Sequence, residues 1–317
     1  MSRILLTAVG SMAAGPAARR YQALGHTVFG CDIYPREWTP LTGEIDFFQA
    51  RLATEGEPYV EQLREAVRRD MLDFLIPLTD PEVDALAPRK AEFRALGCTV
   101  CVPEERVAAL CRRKDKMNRF LAEKQVCRLI PTESAVSGQP CPFPFPVMVK
   151  PRSGRSSLGQ AVAADEKSYQ TALAGREDCI VQPFLEGDIF CVDVARDAFG
   201  HTRAAARQEL LRNKSGLGMT VEVLPGHPLE AVCSAIAEAV GLVGVVNMEF
   251  IRHGDDFFFL EVNPRFSGGV GFSMAAGMDF AEMMLCCHSC GSVEAFPAAP
   301  KHALLARESN IVLTQLR

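Results

Sequence analysis

The sequence predicts two kinds of fold in one chain: an α/β domain with a doubly wound parallel sheet over residues 1–103, then an α+β region over residues 104–317. Three observations carry this. Short apolar runs alternate with helical spacings through the first hundred residues, the pattern of parallel strands joined by helices. Beyond Pro103 that alternation ends: two helical segments come first, and from Val147 strands dominate with helices between them. The length of 317 residues also exceeds the roughly 250 that one hydrophobic core serves.

In chain order, residues 4–9 read as a buried strand and residues 10–15 as a small-residue turn. A helix over residues 17–24 stops at Gly25, and residues 27–33 form the next strand. Val60, Leu63 and Val67 share one face of a helix over residues 57–69. A strand over residues 74–78 precedes a helix opened by Asp80-Pro81, where proline suits the first turn, and residues 98–102 form a fourth strand. The turn Gly10-Ser11-Met12-Ala13-Ala14-Gly15 lacks the middle glycine of a dinucleotide fingerprint, although Asp32 ends the second strand as a ribose-binding acid would. A tight strand-to-helix turn is the favoured reading, with a nicotinamide site as its alternative. Two helical segments cover residues 104–127, and Met117, Phe120 and Leu121 share a face of the second. Residues 140–146 are too rich in proline for regular pairing. From Val147 strands dominate, with helices near residues 167–174, 228–240 and 279–287.

Hydrophobic residues make up 48% and charged residues 23%, an ordinary globular balance. The net charge of −5 argues against a nucleic acid as main partner, because such binders need a basic excess. No apolar run approaches the roughly 18 residues that span a bilayer, so no membrane partner is expected. Residues 4–9 are too short for a signal-peptide core, and the expected location is the cytoplasm. The 12 cysteines read as buried, reduced thiols. Cys98-x-x-Cys101 lies in a predicted strand, where residues three apart face opposite sides. Cys287-x-x-Cys290, with His288 between, stays open as a zinc site.

The chemistry concentrates near the end. Val245-Val-Asn-Met-Glu-Phe-Ile251 and Phe257-Phe-Phe-Leu-Glu-Val-Asn-Pro-Arg265 read as a hairpin turning at residues 253–256. Side chains two apart share a strand face, so Asn247, Glu249 and Ile251 point one way. Glu261 and Asn263 share a face, and Leu260 and Val262 share the other. With normal pairing, Glu249 and Glu261 converge. Two carboxylates and an amide oxygen form a hard-oxygen set suited to magnesium. The competing reading is a pair of solvated carboxylates, against which stands the cost of acids in so apolar a strand. Arg265, just beyond, is placed to steady a transferring phosphoryl group.

Lys150 ends an apolar strand and needs an anionic partner. The loop after it, with Gly154 and Gly159 around Ser156 and Ser157, lets backbone N–H groups approach phosphate oxygens; a plain surface loop is the alternative. Ile180-Val-Gln-Pro-Phe-Leu-Glu-Gly-Asp188 reads either as a linker or as a hinge offering backbone groups to an adenine, with Asp188 for ribose hydroxyls. Arg207, Arg212 and Lys214 are candidates for contacts to phosphate or an acidic substrate, or else form a solvated basic hairpin. Ser267 and Gly268 are placed to shape an acceptor pocket.

These segments, in this order and spacing, resemble the ATP-grasp superfamily, especially the branch similar to the carbamoyl-phosphate synthase large subunit. The resemblance covers nearly the whole chain. It implies a smaller lobe over about residues 104–181 and a larger lobe over about 182–317, closing over ATP. It begins at Arg113-Lys114-Asp115-Lys116, with Lys116 in the place of an early phosphate-binding cation. Lys150 falls on the second nucleotide-binding cation, and residues 154–159 on the phosphate-covering loop. Gln182, Phe184 and Leu185 fall on the adenine hinge, and Glu249, Glu261 and Asn263 on the metal ligands. Arg265 falls on the catalytic arginine that follows them. Gln182 and Pro183 depart from the acidic residues common at the hinge. The usual ribose glutamate would fall near Ile189, with Asp188 its shorter neighbour.

The implied activity is a carboxylate–amine ligase acting on small molecules. ATP, with two Mg2+ ions (Mn2+ as an alternative), phosphorylates a carboxylate, and an amine captures the acyl phosphate. Phosphorylation of bicarbonate or carbamate is a rival, and a non-catalytic ATP sensor or partner subunit is another. A homodimer is the default assembly.

Overall fold

The structure is a computed structural model that describes residues 1–154, 158–308 and 312–314. Its first sheet is parallel throughout, in the order β3-β2-β1-β4-β5: β1 (Arg3–Leu6), β2 (Thr27–Asp32), β3 (Asp46–Gln49), β4 (Phe74–Ile76) and β5 (Thr99–Val100). The helices α1 (Ala14–Ala23), α2 (Glu57–Asp70), α3 (Asp80–Leu86) and α4 (Lys90–Ala95) connect its strands. Alternation along β1 sends Ile4 and Leu6 into one apolar cluster with Ala14, Ala17 and Tyr21 of α1. Leu5 joins the other with Val60, Leu63 and Val67 of α2. Cys98 and Cys101 fall in these two different clusters, so the pair faces apart as the strand spacing requires. Strand β3 is a departure from expectation: its Asp-Phe-Phe-Gln sequence lies on the sheet edge and has neither a long apolar run nor clean alternation.

Helices α5 (Glu105–Arg112) and α6 (Lys114–Lys124) follow. Strand β6 (Arg128–Leu129) joins the last sheet, and β7 (Glu133–Ala135) begins the second. With β8 (Val147–Pro151), β9 (Ala161–Ala163) and β10 (Cys179–Pro183), it makes an antiparallel sheet ordered β7-β10-β8-β9, with α7 (Glu166–Leu173) packed on it. The third sheet has seven strands. Its long members are β11 (Asp188–Arg196), β12 (Thr202–Arg212), β13 (Gly218–Val223), β14 (Gly244–His253) and β15 (Asp256–Asn263), closed at one edge by β16 (Ala303–Ala306). Helix α8 (Pro228–Val240) covers one face, packing Leu229, Cys233 and Ile236 on Phe190, Val192 and Val194. Helices α9 (Val270–Ala275) and α10 (Phe280–His288) lie toward the first sheet, and Phe280, Met283 and Met284 share a core with α1. No helix among the described residues is long and apolar enough to cross a membrane.

One irregularity positions the site. From the turn, β14 and β15 pair His253 with Asp256, Arg252 with Phe257, Ile251 with Phe258 and Phe250 with Phe259. Continued regularly, that register would set Glu249 opposite Leu260 and turn Glu261 into the core. A bulge intervenes, and Glu249 pairs with Glu261, Met248 with Val262 and Asn247 with Asn263. The carboxylates therefore converge through a broken register, not through the normal pairing expected from sequence. Leu260 is corrected with them: as the extra residue it lines the cleft beside Glu261, while Phe259 and Val262 enter the core.

His288 ends α10 against β14. Its Nε2 is buried without a hydrogen-bond partner among the described residues, and a Cβ on Gly244 (φ +123°) would lie 2.9 Å from it. Burial first, then Lys90 and Arg94, push its pKa down to about 3. Between that value and the unfolded value near 6.5, the unfolded chain binds a proton that the folded chain does not. The neutral imidazole's contribution is complete above about pH 6.5 and is lost as pH falls, by about 2 kcal/mol at pH 5. Denaturant titrations at about pH 5 and pH 7.5 are expected to show this difference in the wild type and a smaller one in His288→Leu. Equal differences would show that the histidine does not carry it.

Candidate active site

The three sheets enclose a cleft of about 860 Å³. Its floor is the face of the third sheet opposite α8. Registered pairs place Arg207, Cys191, Glu249 and Glu261 in one row across β12, β11, β14 and β15, with Asp193, Asn247 and Asn263 in the next. The second sheet supplies Lys150 and Gln182 from neighbouring strands. The first sheet supplies Ser11, Met12, Thr79 and Asp80 from the turns after β1 and β4.

Lys150 is 5% exposed, and burial brings its ammonium down to about 8 against the pull of Glu261. Glu249 is pushed up to about 7, by burial and by the neighbouring Glu261. Burial opposes ionisation of Glu261 too, but Lys114 and Lys150 hold it below the usual carboxylate range. Lys114 Nζ lies 3.0 Å from Glu261 Oε2. Asn263 Nδ2 donates to Glu261 Oε1 at 3.3 Å, which leaves the amide oxygen free of that contact. Two carboxylates and an amide oxygen on one strand pair, one carboxylate lacking a full counter-charge, fit a hard divalent cation.

Several expected residues are placed differently. Lys116 is exposed and does not line the cleft; Lys114 is buried and meets Glu261, with Gly154 O at 3.5 Å. Two positions along a helix turn a side chain by about 200°, so a shift of two residues moves the cation from one side of α6 to the other. Asp188 is exposed and ion-paired with Arg252, its partner across β11 and β14, on the side of Phe190. Ile189 and Cys191, of opposite parity, line the cleft instead, and Glu186 stands at its rim. Lys214 is exposed and outside the lining, whereas Arg212 borders it with Nη2 3.5 Å from Glu249 Oε2.

Arg207 is neither a free cation nor part of a solvated hairpin. It is 1% exposed, and it donates from Nη1 to Asp193 Oδ2 (2.6 Å) and Ser273 Oγ (3.2 Å), from Nε to Glu209 Oε1 (3.1 Å), and from Nη2 to Ser267 Oγ (3.1 Å). Ser267 thus positions Arg207 as well as lining the cleft. Gly268 also lines it, and a Cβ there would meet Leu217 Cδ1 at 2.6 Å.

Gln182, Phe184 and Leu185 all line the cleft, as the hinge reading requires. The Gln182 amide donates to Thr132 Oγ1 at 2.6 Å, and the Phe184 N–H to Pro146 O at 3.0 Å. Of the covering loop, Ser156 and Ser157 lie outside the described residues. Leu158 and Gln160 line the cleft, whereas Gly159 (φ +72°) does not and accepts from Arg176. Asp32 accepts from the N–H groups of Gly10 and Tyr34, bracing the first turn. Cys287 is buried and Cys290 exposed, and no group of three or more metal-binding side chains of the His, Cys, Asp and Glu types occurs among the described residues.

Arg265 lines the cleft and forms a two-point pair with Asp80, Nε to Oδ1 at 3.1 Å and Nη2 to Oδ2 at 3.2 Å. Asp80 is fully buried, and the sequence marks it only as a helix opener.

This is the ATP-grasp fold. The family described as ATP-grasp in the biosynthetic pathway with Ter operon matches residues 175–310. Among curated relatives, the formate-dependent phosphoribosylglycinamide formyltransferase of Synechococcus sp. (strain CC9605) is 26% identical over 273 residues. That match takes in 77% of this chain and 64% of the relative's length. Among solved structures, Campylobacter jejuni biotin carboxylase in its β-γ-ATP complex superposes with a TM-score of 0.72 at 17% identity, covering 92% of this chain and 72% of that one. Staphylococcus aureus N5-carboxyaminoimidazole synthetase gives 0.71 at 14% identity, covering 96% and 80%. The superfamily indicated by the motifs is thereby borne out.

Proposed function

We propose that this protein is a cytoplasmic Mg2+- and ATP-dependent ligase that phosphorylates a small carboxylic acid and joins it to an amine. The observation that carries this reading is the facing pair Glu249 and Glu261, brought together by a bulge in a cleft that also holds Lys114 and Lys150. The formate-dependence in the relative's name supports a carboxylate as the acceptor of phosphate.

Residues 104–181 and 182–317 act as the two nucleotide-binding lobes, and residues 1–103 help to close the acceptor end. Gln182, Phe184 and Leu185 border the base, and Glu186, in place of Asp188, receives the ribose hydroxyls. Lys114 and Lys150 bind phosphate oxygens. Glu249, Glu261 and Asn263 would hold Mg2+, which supplies charge neutralisation at the transferring phosphoryl group. Arg265 orients the oxyanion in line with the γ-phosphorus, and closure excludes water from the acyl phosphate. A carboxylate oxygen attacks phosphorus as the bond to ADP breaks. The neutral amine nitrogen then attacks the acyl carbon, phosphate leaves with the bonding pair, and the proton lost from nitrogen passes to the departing phosphate.

The test is phosphate release with Mg2+-ATP against pooled amino acids and small carboxylic acids, with hydroxylamine added to trap acyl phosphates and mass spectrometry of products. An amide or hydroxamate formed with stoichiometric ADP is expected. A phosphorylated end product without an amide would shift the reading to bicarbonate or carbamate chemistry, and ATP binding with no stimulated hydrolysis would make the chain a sensor. In the same assay Lys114→Ala should raise the KM for ATP by roughly tenfold or more, and Lys116→Ala by less than about twofold. The reverse order would restore the cation assignment made from sequence.

A further inference from the structure

The pair between Asp80 and Arg265 joins residues 185 positions apart in sequence. It links the first turn of α3, on the parallel sheet, to the residue just beyond the candidate metal strand. Asp80 is fully buried, and α3 is fixed at its start by Thr79, whose N–H and hydroxyl both donate to Glu82 Oε2, at 2.9 and 2.8 Å. Arg112 approaches Asp80 from α5, with Nη1 3.7 Å from Oδ2. The carboxylate therefore has a fixed place, and it grips the Nε–Nη2 edge of the guanidinium. Arg265 Nη1 donates to Phe266 O at 2.9 Å. A guanidinium has five N–H donors, so these three contacts leave two for a ligand.

The same cleft holds Glu249 and Glu261. A guanidinium without a partner in such a space is drawn to whichever carboxylate it can reach, because attraction between charges strengthens where water is scarce. An arginine resting on either glutamate would compete with a cation for the same oxygens. We propose that Asp80 is a positioning residue: by holding Arg265 it keeps Glu249 and Glu261 open for a divalent cation and presents the arginine's two remaining donors to a substrate oxyanion. The parallel sheet is thus part of the catalytic unit and does more than border the acceptor. This inference rests on the nucleotide reading above.

The test uses the full chain and measures binding of Mn2+ with ADP by titration calorimetry, with electron paramagnetic resonance of the bound ion. Asp80→Asn is expected to weaken Mn2+–ADP binding by roughly tenfold, as Arg265 turns onto the glutamates. Asp80→Asn combined with Arg265→Gln should recover affinity to within about threefold of wild type, because the competing cation is gone. Asp80→Glu should bind better than Asp80→Asn, and if Asp80→Asn fails to fold, Asp80→Glu with and without Arg265→Gln takes its place. Unchanged affinity in the single variant, or a double variant no tighter than the single one, overturns the proposal. Thermal melts of each variant accompany the titrations: a structural loss lowers the melting temperature and the affinity together, whereas competition by Arg265 lowers the affinity of Asp80→Asn in protein that remains folded. Failure of the wild type itself to bind Mn2+–ADP overturns the nucleotide reading, and this inference with it.

Discussion

Replacing Glu261 with glutamine is expected to reduce ADP formation by roughly a thousandfold or more while the protein stays folded. The substitution keeps the volume and removes one charge from a cluster in which that charge acts twice. Glu261 faces Glu249 across the strand pair, and it is the carboxylate that Lys114 meets at 3.0 Å. It also holds up the Lys150 ammonium, which stands at about 8 because burial outweighs that pull. Without it a metal ligand is lost and Lys150 gives up its proton more readily, so cation and phosphate binding weaken together. The fold should tolerate the change, because the side chain borders an open cleft and glutamine still accepts a hydrogen bond from Lys114. Steady-state ADP formation and a thermal melt of the same preparation check both halves. Turnover near that of wild type would remove Glu261 from the reaction, and a collapsed melting transition would mean that its role is structural.

Much of this site is legible from sequence because its residues are close together in the chain. Asn247, Glu249, Glu261 and Asn263 stand on one hairpin, and strand parity with a short turn suffices to bring them near each other. Parity alone places Glu261 wrongly, however. Only the extra residue at Leu260 turns it toward Glu249, and nothing in the string Phe-Phe-Phe-Leu-Glu-Val announces a bulge. Lys114 was missed for a related reason. The buried face of α6 runs through Lys114, Met117, Asn118 and Leu121, and its phase depends on where the helix begins. Asp188 failed by one residue of strand alternation.

The parallel sheet was legible where apolar runs were long, as in β1 and β2, and illegible at β3, whose two phenylalanines sit between polar residues on an edge. Long-range partners could not be read at all. Asp80 carries a helix-opening signal, and that signal is real, but its pairing with Arg265 depends on how the first sheet packs against the third. The same holds for Arg207, whose neighbours come from β11, β12 and the segment around α9.

Arg207→Met is expected to destabilise the protein by about 3–5 kcal/mol, as loss of one partner from a buried ion network does. Asp193 is 1% exposed and Glu209 8%, so neither carboxylate gains water when the guanidinium disappears. Asp193 keeps the Ser273 hydroxyl, at 2.7 Å, but its counter-charge is gone. Glu209 is worse placed: Oε2 already has no hydrogen-bond partner among the described residues, and Oε1 would lose the Nε donor. Arg207→Lys should recover little, because one ammonium cannot reach four oxygens that a planar fork reaches at once. Adding Asp193→Asn to Arg207→Met should restore part of the loss by removing one stranded charge. Melting temperatures of the three variants, read beside the KM for ATP, separate a brace from a substrate contact. A brace lowers the melting temperature and leaves KM near wild type in whatever protein remains folded. A substrate contact does the opposite, and that outcome would return Arg207 to the binding surface where its sequence first suggested it belonged.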